Sequence, residues 1–416
     1  MALKTYPNGL RLSIIKKEKN PLVTASLYIN AGTQSEKNYE SGISVFTSRM
    51  LLMGIKNHPN YNELMTYAKS NGIVLTADST AENISVTAKT TVDNFDKAME
   101  LLCAVAFDST FSEDAAARVR TSLLAEIDEL QLNSSYVLEK MVNQALYHRT
   151  GLANPKFGTE TTVSRMTSAQ AKDYFERVFT PKNTVVSVVG DVDSEAVYDK
   201  VMKTIYSRFI EGGEFKKLKF VAPVDDFIGG VRTKNKRLNQ SRMFLSFPGL
   251  SYKDSKKYAL DICVPMLEGM LRRQLAGTDY FHQENITNVS YANNGKLTIE
   301  CMVDFDSVNT YLDDLIAAVK EIAELGISDN QFEIEKNAYI VKYLEVAESS
   351  EALGNMAAKH VAINKAGFSQ AGELMKIELL KASDANSILK ELFDFTKLYI
   401  AYLGNPVEID YMKYVD

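Results

Sequence analysis

The feature of this sequence that most limits its possible folds is an internal duplication. Residues 84–102 (ISVTAKTTVDNFDKAMELL) align without gaps with residues 297–315 (LTIECMVDFDSVNTYLDDL), at an offset of 213. In the first part of each segment, apolar residues alternate with polar ones, which is typical of a half-buried β-strand. In the second part, the apolar residues recur at the helical period. Each copy therefore predicts a strand followed directly by a helix.

The duplication extends beyond these two segments. A long helix is predicted after each of them, one starting at Ser112 and the other at Ser328, where Gln331 occupies the capping-box position. Each half then closes with a strand that ends in glycine, Gly190 in one half and Gly404 in the other. A period of this length is too long for a solenoid repeat, so we expect two similar domains.

The predicted fold class is α+β. We expect two homologous domains, each a largely antiparallel sheet with helices packed on one face. Glycines and charged residues cluster near 210–235, which indicates the join between the copies. The predicted domains are residues 1–215 and residues 216–416.

Composition narrows the class of function. The chain has 416 residues, 45% of them hydrophobic, with 47 basic and 53 acidic residues and a formal net charge of −6. This balance argues against a nucleic-acid partner, although it leaves a local basic patch open. Three widely spaced cysteines exclude a disulfide scaffold and a four-thiolate zinc site. No apolar run approaches the roughly 20 residues of a membrane helix, and no export signal is visible. We therefore expect a cytoplasmic location and no membrane partner.

Three stretches of the first half carry a family resemblance. PNGLRLSIIKK (7–17) predicts a turn and an edge strand, GISVFTSRMLLMG (42–54) an apolar helix, and FERVFTPKNTVVSVVGDVD (175–193) a helix end followed by a strand. In this order and spacing they resemble the insulinase-like metallopeptidases, in particular the shorter chains of the mitochondrial processing peptidase type. The resemblance covers the whole chain, and it is strongest in the first half.

Active members of that family carry an inverted zinc motif, His-x-x-Glu-His, on the helix that corresponds to 42–54. Two imidazoles four residues apart share the metal, and the glutamate activates the bound water. The aligned residues here are Val45, Ser48 and Arg49. Valine has no lone pair for a metal, serine is too weak a base, and arginine places a permanent positive charge where zinc would bind. The resemblance therefore implies a degenerate zinc motif and no catalytic residue in this chain.

The third zinc ligand of the family is a glutamate on a later helix, and its position here is Glu126. We expect Glu126 to face the core, on the same side of its helix as Val119 and Leu123. Because a core-facing carboxylate is costly unless it is paired, we hypothesise that an Arg49–Glu126 ion pair replaces the zinc ion. The alternative is that Glu126 is an ordinary solvated acid on the helix surface.

A substrate-binding pair is the other candidate site. Relatives without the zinc motif use an arginine and a tyrosine in the second domain to hold peptide, and Arg273 and Tyr280 have a suitable spacing. The alternatives are that Arg273 is a solvated helix charge, or that Tyr291 takes the place of Tyr280. The four histidines (His58, His148, His282 and His360) lie far apart in sequence and are interpreted as structural residues.

These residues favour a noncatalytic subunit of a two-chain zinc metallopeptidase that completes the peptide-binding chamber of a catalytic partner. We then expect no cofactor in this chain and zinc only in the partner, a homologue with an intact motif, while the substrate is a peptide. The alternative is a structural protein, a homodimer or scaffold comparable to the core proteins of respiratory complex III. A third interpretation, an enzyme with a rearranged site, has little support from four scattered histidines.

Overall fold

The computed structural model describes residues 2–211 and 227–415. The predicted boundary between residues 215 and 216 lies outside the described residues. The strands are β1 (Ala2–Thr5), β2 (Arg11–Lys16), β3 (Leu22–Ile29), β4 (Val74–Ser79), β5 (Ile84–Thr91), β6 (Thr184–Gly190), β7 (Gly230–Asn235), β8 (Gln240–Gly249), β9 (His282–Ser290), β10 (Gly295–Asp304) and β11 (Tyr399–Gly404).

The helices of the first half are α1 (Ile43–Leu51), α2 (Tyr61–Ser70), α3 (Phe95–Phe107), α4 (Glu113–Leu130), α5 (Ser134–Leu146), α6 (Glu160–Val163), α7 (Ser168–Val178), α8 (Ser194–Val201) and α9 (Ser207–Glu211). Those of the second half are α10 (Lys257–Gln274), α11 (Val308–Leu325), α12 (Asp329–Glu348), α13 (Ser350–Asn364), α14 (Gln370–Glu378), α15 (Ala382–Leu392) and α16 (Met412–Val415).

The two sheets have matching strand orders. The described strands form one sheet in the order β1-β2-β6-β3-β5-β4 and another in the order β7-β11-β8-β10-β9. In each sheet one pair is parallel, β2 with β6 and β7 with β11, and the other pairs are antiparallel. The predicted α+β class with two largely antiparallel sheets is therefore confirmed.

The duplicated elements form where the sequence predicts them. β5 leads into α3 and β10 leads into α11, and the strands β6 and β11 end at Gly190 and Gly404. At the start of α12, the Gln331 amide donates to Ser328 Oγ (3.4 Å), as the capping motif predicts, whereas Gln331 Oε1 accepts from the Ser328 hydroxyl (3.0 Å) and not from the Ser328 amide. The strand within 7–17 is not an edge strand, however, because β1 pairs along its outer side.

The apolar face of each sheet is covered by helices of its own half. Leu12, Leu27, Val86 and Val188 form one buried core with residues of α1, α3, α4 and α7. In the other sheet, α10, α11 and α15 pack on one another and on β8, β9 and β10. The expectation of helices on one face holds for these elements, because alternation along the strands directs one set of apolar side chains to that face.

The opposite face of the first sheet is covered by a helix from the second half of the chain. α13 packs on β2, β3 and β6. Ser187 Oγ donates to the Gly354 carbonyl (3.0 Å), and Arg11 Nη1 donates to the Val361 carbonyl (3.1 Å). Small buried residues of α13, among them Ala357 and Ala358, let the helix approach closely.

The second sheet has the reciprocal arrangement. α5, from the first half of the chain, packs on β8 and β11. Lys296 of β10 points to this face, where its Nζ donates to Glu139 Oε1 (2.5 Å) and to Asn143 Oδ1 (2.7 Å). Burial lowers the pKa of the Lys296 amine.

The compact units are consequently discontinuous in sequence. One comprises residues 2–128, 154–211 and 344–370, and the other comprises residues 129–153, 227–343 and 371–415. No helix in the described parts of the chain combines the length and the apolar character needed to cross a membrane.

Candidate functional site

The candidate site begins at α1, whose N-terminus is held by a buried carboxylate. Glu36 Oε2 accepts from the Gly42 amide (2.9 Å), and Glu36 Oε1 accepts from the Ser44 amide (3.0 Å) and from Ser44 Oγ. Burial raises the pKa of the Glu36 carboxyl to about 7, against the hydrogen bonds, which favour its charged form. Gly42 has φ 91°, and a Cβ there would lie 2.8 Å from the Phe157 carbonyl oxygen, so only glycine fits.

Two of the three degenerate motif positions are buried. The exposed fraction is 4% for Val45 and 2% for Ser48. Ser48 Oγ donates to the Val45 carbonyl (2.9 Å), so its hydroxyl is engaged within the helix. The side of α1 that would carry the first histidine and the glutamate of an active relative is therefore packed protein interior.

The third position forms the predicted ion pair. Arg49 Nη2 lies 2.5 Å from Glu126 Oε2, which confirms that α1 and α4 bring these two residues together. The prediction that Glu126 faces the core is only partly right. Val119, Leu123 and Ile127 form the buried stripe of α4, whereas Glu126 lies at its border with a side chain that is 35% exposed.

These residues do not fit a zinc ion. Of the ligand positions, only Glu126 offers a lone pair of the right kind, and the Arg49 guanidinium occupies it. Within residues 2–211 and 227–415, no three side chains of the His, Cys, Asp and Glu types are close enough to hold a metal. The arrangement can neutralise a carboxylate and bridge two helices.

The structure places Arg273 and Tyr280 in different surroundings. Arg273 is exposed in the last turn of α10, and among the described residues its guanidinium has no carboxylate partner. Tyr280 Oη donates to Asp314 Oδ2 (2.5 Å), and burial together with that carboxylate raises the pKa of the phenol. No described contact joins the two side chains, and their role in peptide binding stays a prediction.

A buried polar cluster beside Tyr280 was not predicted from the sequence. Glu284 Oε1 lies 2.9 Å from His282 Nδ1 and accepts from Tyr311 Oη (2.7 Å). His282 Nε2 lies 3.2 Å from the Leu275 carbonyl oxygen. Both ring nitrogens therefore have partners inside the fold, which supports the structural interpretation of this histidine. The available signal was the spacing of His282 and Glu284, which puts them on one face of a strand.

The chain is similar to known proteins over most of its length. Residues 11–160 match the family model described as insulinase (peptidase family M16), and residues 165–339 match the model described as peptidase M16 inactive domain. Over 346 residues the chain is 21% identical to the mitochondrial-processing peptidase subunit beta of Dictyostelium discoideum, which covers 80% of this chain and 73% of that protein.

Two solved structures share the fold over nearly the full length. A peptidase M16 inactive domain structure from Pseudomonas fluorescens has a TM-score of 0.87 at 15% identity and covers 98% of each chain. A chain of complex III2 from Candida albicans has a TM-score of 0.80 at 16% identity, and covers 100% of this chain and 98% of that one. At such low identity these likenesses show the fold alone.

Proposed function

This chain belongs to the insulinase (M16) peptidase family, and we propose that it is a noncatalytic subunit of a two-chain zinc metallopeptidase. In this proposal a homologous partner with an intact His-x-x-Glu-His motif supplies the zinc ion and the general base. The present chain supplies the other wall of the peptide-binding chamber. The substrate is a peptide small enough to enter such a chamber.

The observation that carries the proposal is the state of the motif positions on α1. Val45 and Ser48 are buried in the packed interior, and Arg49 is paired with the residue at the third ligand position, Glu126. In the proposal, α1 keeps the frame of a peptidase site, while the positions of the two histidines and of the general base hold Val45, Arg49 and Ser48. We infer that the Arg49–Glu126 pair takes the structural role of the metal, which is to join α1 to α4.

Peptide handling is the second part of the proposal. The exposed guanidinium of Arg273 is available for a peptide carbonyl or carboxylate. Tyr280 would contribute its ring, since its hydroxyl donates to Asp314. Both residues are proposed contacts for substrate in the assembled peptidase.

Reconstitution tests the proposal. The purified chain, a homologue with an intact motif from the same genome and their mixture are each assayed for zinc content and for cleavage of a quenched fluorescent peptide library. We expect one zinc ion per heterodimer and cleavage only in the mixture. A matched control replaces the motif glutamate of the partner with glutamine, which should abolish cleavage without dissociating the complex. Stoichiometric zinc or cleavage in the present chain alone would contradict the proposal.

The alternative is a structural role in a homodimer or a larger assembly. The likeness to a chain of complex III2 favours it, since that chain is part of a multi-subunit complex. The same preparation separates the two functions. A stable homodimer that neither binds the intact homologue nor changes its cleavage rate would favour the structural role.

A further inference from the structure

Among the described residues, none pairs along the outer edge of β7, whereas the matching edge of the other sheet is covered by β1. In the first sheet β1 pairs antiparallel with β2. β7 holds the position of β2 in the second sheet, and among the described residues it pairs only with β11. In the part of the chain that the structure describes, β7 thus has no counterpart of β1 beside it.

The backbone of β7 presents a regular row of unpaired groups at this edge. The Gly230 amide donates to the Leu398 carbonyl (2.9 Å) and the Lys236 amide to the Gly404 carbonyl (2.8 Å), so the even-numbered residues bond to β11. In a parallel pair the alternate residues then direct both their N–H and their C=O outward. Those residues are 231, 233 and 235, and no described residue satisfies them.

Side chains of β7 and α5 make the same edge strongly basic. Arg232 and Lys234 are exposed on β7, and Arg237 is exposed just beyond it. Within the described parts of the chain none of the three has a carboxylate within 4.0 Å, and Arg232 Nη1 instead donates to Gln144 Oε1 of α5 (3.2 Å). Burial lowers the pKa of Lys140, also on α5, and the positive charges of Lys234 and Arg232 lower it further. Four cations thus gather at one edge of a chain whose net charge is −6.

We propose that β7 and Lys140 form a docking strip for an extended acidic segment of a partner protein, which pairs with β7 as an added strand. The backbone of this segment would form hydrogen bonds with the outward N–H and C=O groups of residues 231, 233 and 235. Carboxylates at alternate positions would face Arg232, Lys234 and Lys140, because side chains two apart lie on one face of a strand. The mutual repulsion among the cations is relieved when such a segment binds.

Backbone pairing distinguishes this occupant from other anions. A nucleic acid or an anionic membrane would use the cations alone and leave the outward N–H and C=O groups unpaired. An acidic strand satisfies both the charges and the backbone.

Fluorescence anisotropy with the full chain tests the strip. The probe is a labelled peptide of alternating glutamate and valine, Thr-Glu-Val-Glu-Val-Glu-Thr, and the control peptide has proline in place of each valine. We expect the first peptide to bind, with an affinity that falls as salt is raised, and the proline peptide to bind at least about tenfold more weakly, since proline lacks the N–H needed for pairing. Equal binding of the two peptides, or no binding of either, would overturn the proposal.

Variants of the chain test the contribution of the side-chain charges to binding separately from that of the backbone hydrogen bonds. Arg232→Gln with Lys234→Gln should weaken binding about tenfold, and Lys390→Gln, an exposed cation of α15, should leave it unchanged. Thr233→Pro removes only an outward N–H, which edge strands tolerate, and it should weaken binding where Thr233→Ala does not. Thermal unfolding of each variant checks that the fold is kept. The strip is a general anion site, and the proposal is wrong, if an oligonucleotide or phosphatidylserine vesicles bind as tightly as the peptide and their affinity is unchanged by Thr233→Pro.

Discussion

Two ion pairs in this protein have the same length and different surroundings. Arg49 Nη2 and Glu126 Oε2 are 2.5 Å apart with side chains 28% and 35% exposed. Lys296 Nζ and Glu139 Oε1 are also 2.5 Å apart, but the lysine side chain is only 2% exposed. The first pair links α1 to α4, and the second links α5 to the sheet that it covers. Although the distances are equal, the electrostatic interaction energies of the two pairs differ, because water screens the first pair and is excluded from the lysine of the second.

Burial decides what each pair can do. A partly exposed pair contributes little to the free energy of unfolding, so Arg49 and Glu126 orient two helices more than they stabilise them. A buried ammonium is costly without its partner, so Glu139 is needed wherever Lys296 is kept. The Arg49–Glu126 pair is thus expected to be less critical for stability than the Lys296–Glu139 pair.

The largest expected effect is that of Glu139→Ala. It leaves the Lys296 ammonium buried with Asn143 as its remaining partner, and we expect the free energy of unfolding to fall by about 4 kcal/mol in urea titrations at pH 7. The loss should shrink as the pH is raised, because the folded state favours neutral Lys296 and then binds fewer protons than the unfolded state.

Lys296→Met is the matched control for that variant. It removes the buried charge, and Glu139, with a side chain that is 41% exposed, can be hydrated. We expect a change within about 1 kcal/mol, as for other buried pairs replaced by apolar side chains. Equal losses in the two variants would show that the pair acts through its attraction and that the comparison drawn above is wrong.

Glu36 extends the comparison to a buried carboxylate whose hydrogen bonds come from neutral donors. Its pKa is raised from 4.5 to about 7, so between these values the folded state keeps a proton that the unfolded state has lost. Stability contributed by this group is complete below pH 4.5 and is lost as the pH rises towards 7, by about 3 kcal/mol. The measurement is the free energy of unfolding against pH relative to Glu36→Gln, and parallel curves for the two proteins would refute the prediction.

Gly354→Val probes α13, the helix from the second half of the chain that covers the first sheet. This helix packs through small residues rather than through an ion pair. A Cβ at Gly354 would lie 3.3 Å from Ser187 Oγ and from Val189 Cγ2. We expect valine to cost about 2 kcal/mol through overpacking. Gly354→Ala should be nearly neutral, because the tight contact is offset by a gain of about 1 kcal/mol in helix propensity. Equal tolerance of valine and alanine in thermal unfolding would mean that α13 is loosely packed.

The smallest effect is expected for the exposed pair. Arg49→Met and Glu126→Gln should each lower the free energy of unfolding by less than about 1 kcal/mol. A double-mutant cycle on the two residues measures their coupling directly. A coupling above about 2 kcal/mol would place this pair in the same class as Lys296–Glu139 and remove the contrast.

The repeated elements could be predicted because both signals are local. A gapless alignment fixes β5 with α3 and β10 with α11, and the Ser328–Gln331 cap needs only neighbouring residues. The Arg49–Glu126 contact was also predictable, because the family resemblance assigns a zinc-ligand position to each of these two residues. That this pair replaces a metal stays a hypothesis.

The rest depended on contacts between distant segments. Lys296 precedes Leu297 in an alternating strand, and the pattern alone puts it on the solvent face; only the helix α5, more than 150 positions earlier, buries it. The apolar face of a helix likewise does not reveal which sheet it will cover, so the exchange of α5 and α13 was not predicted. The sequence predicted Glu126 to be more deeply buried than it is, because this residue lies at the border of the buried stripe of α4.

The helices α5 and α13, each of which covers the sheet of the other half of the chain, also affect how the chain folds during its synthesis. On the ribosome, the first sheet has all its strands once residue 190 has emerged, but α13 ends at residue 364. At about 5–20 residues per second, that sheet waits about ten to thirty seconds with the face that α13 later covers, including Tyr28, Val185 and Val189, exposed. Ribosome-bound chains from which residues up to 211 have emerged should therefore bind chaperones and be cut by proteases at this face, whereas chains from which residues beyond 370 have emerged should be protected.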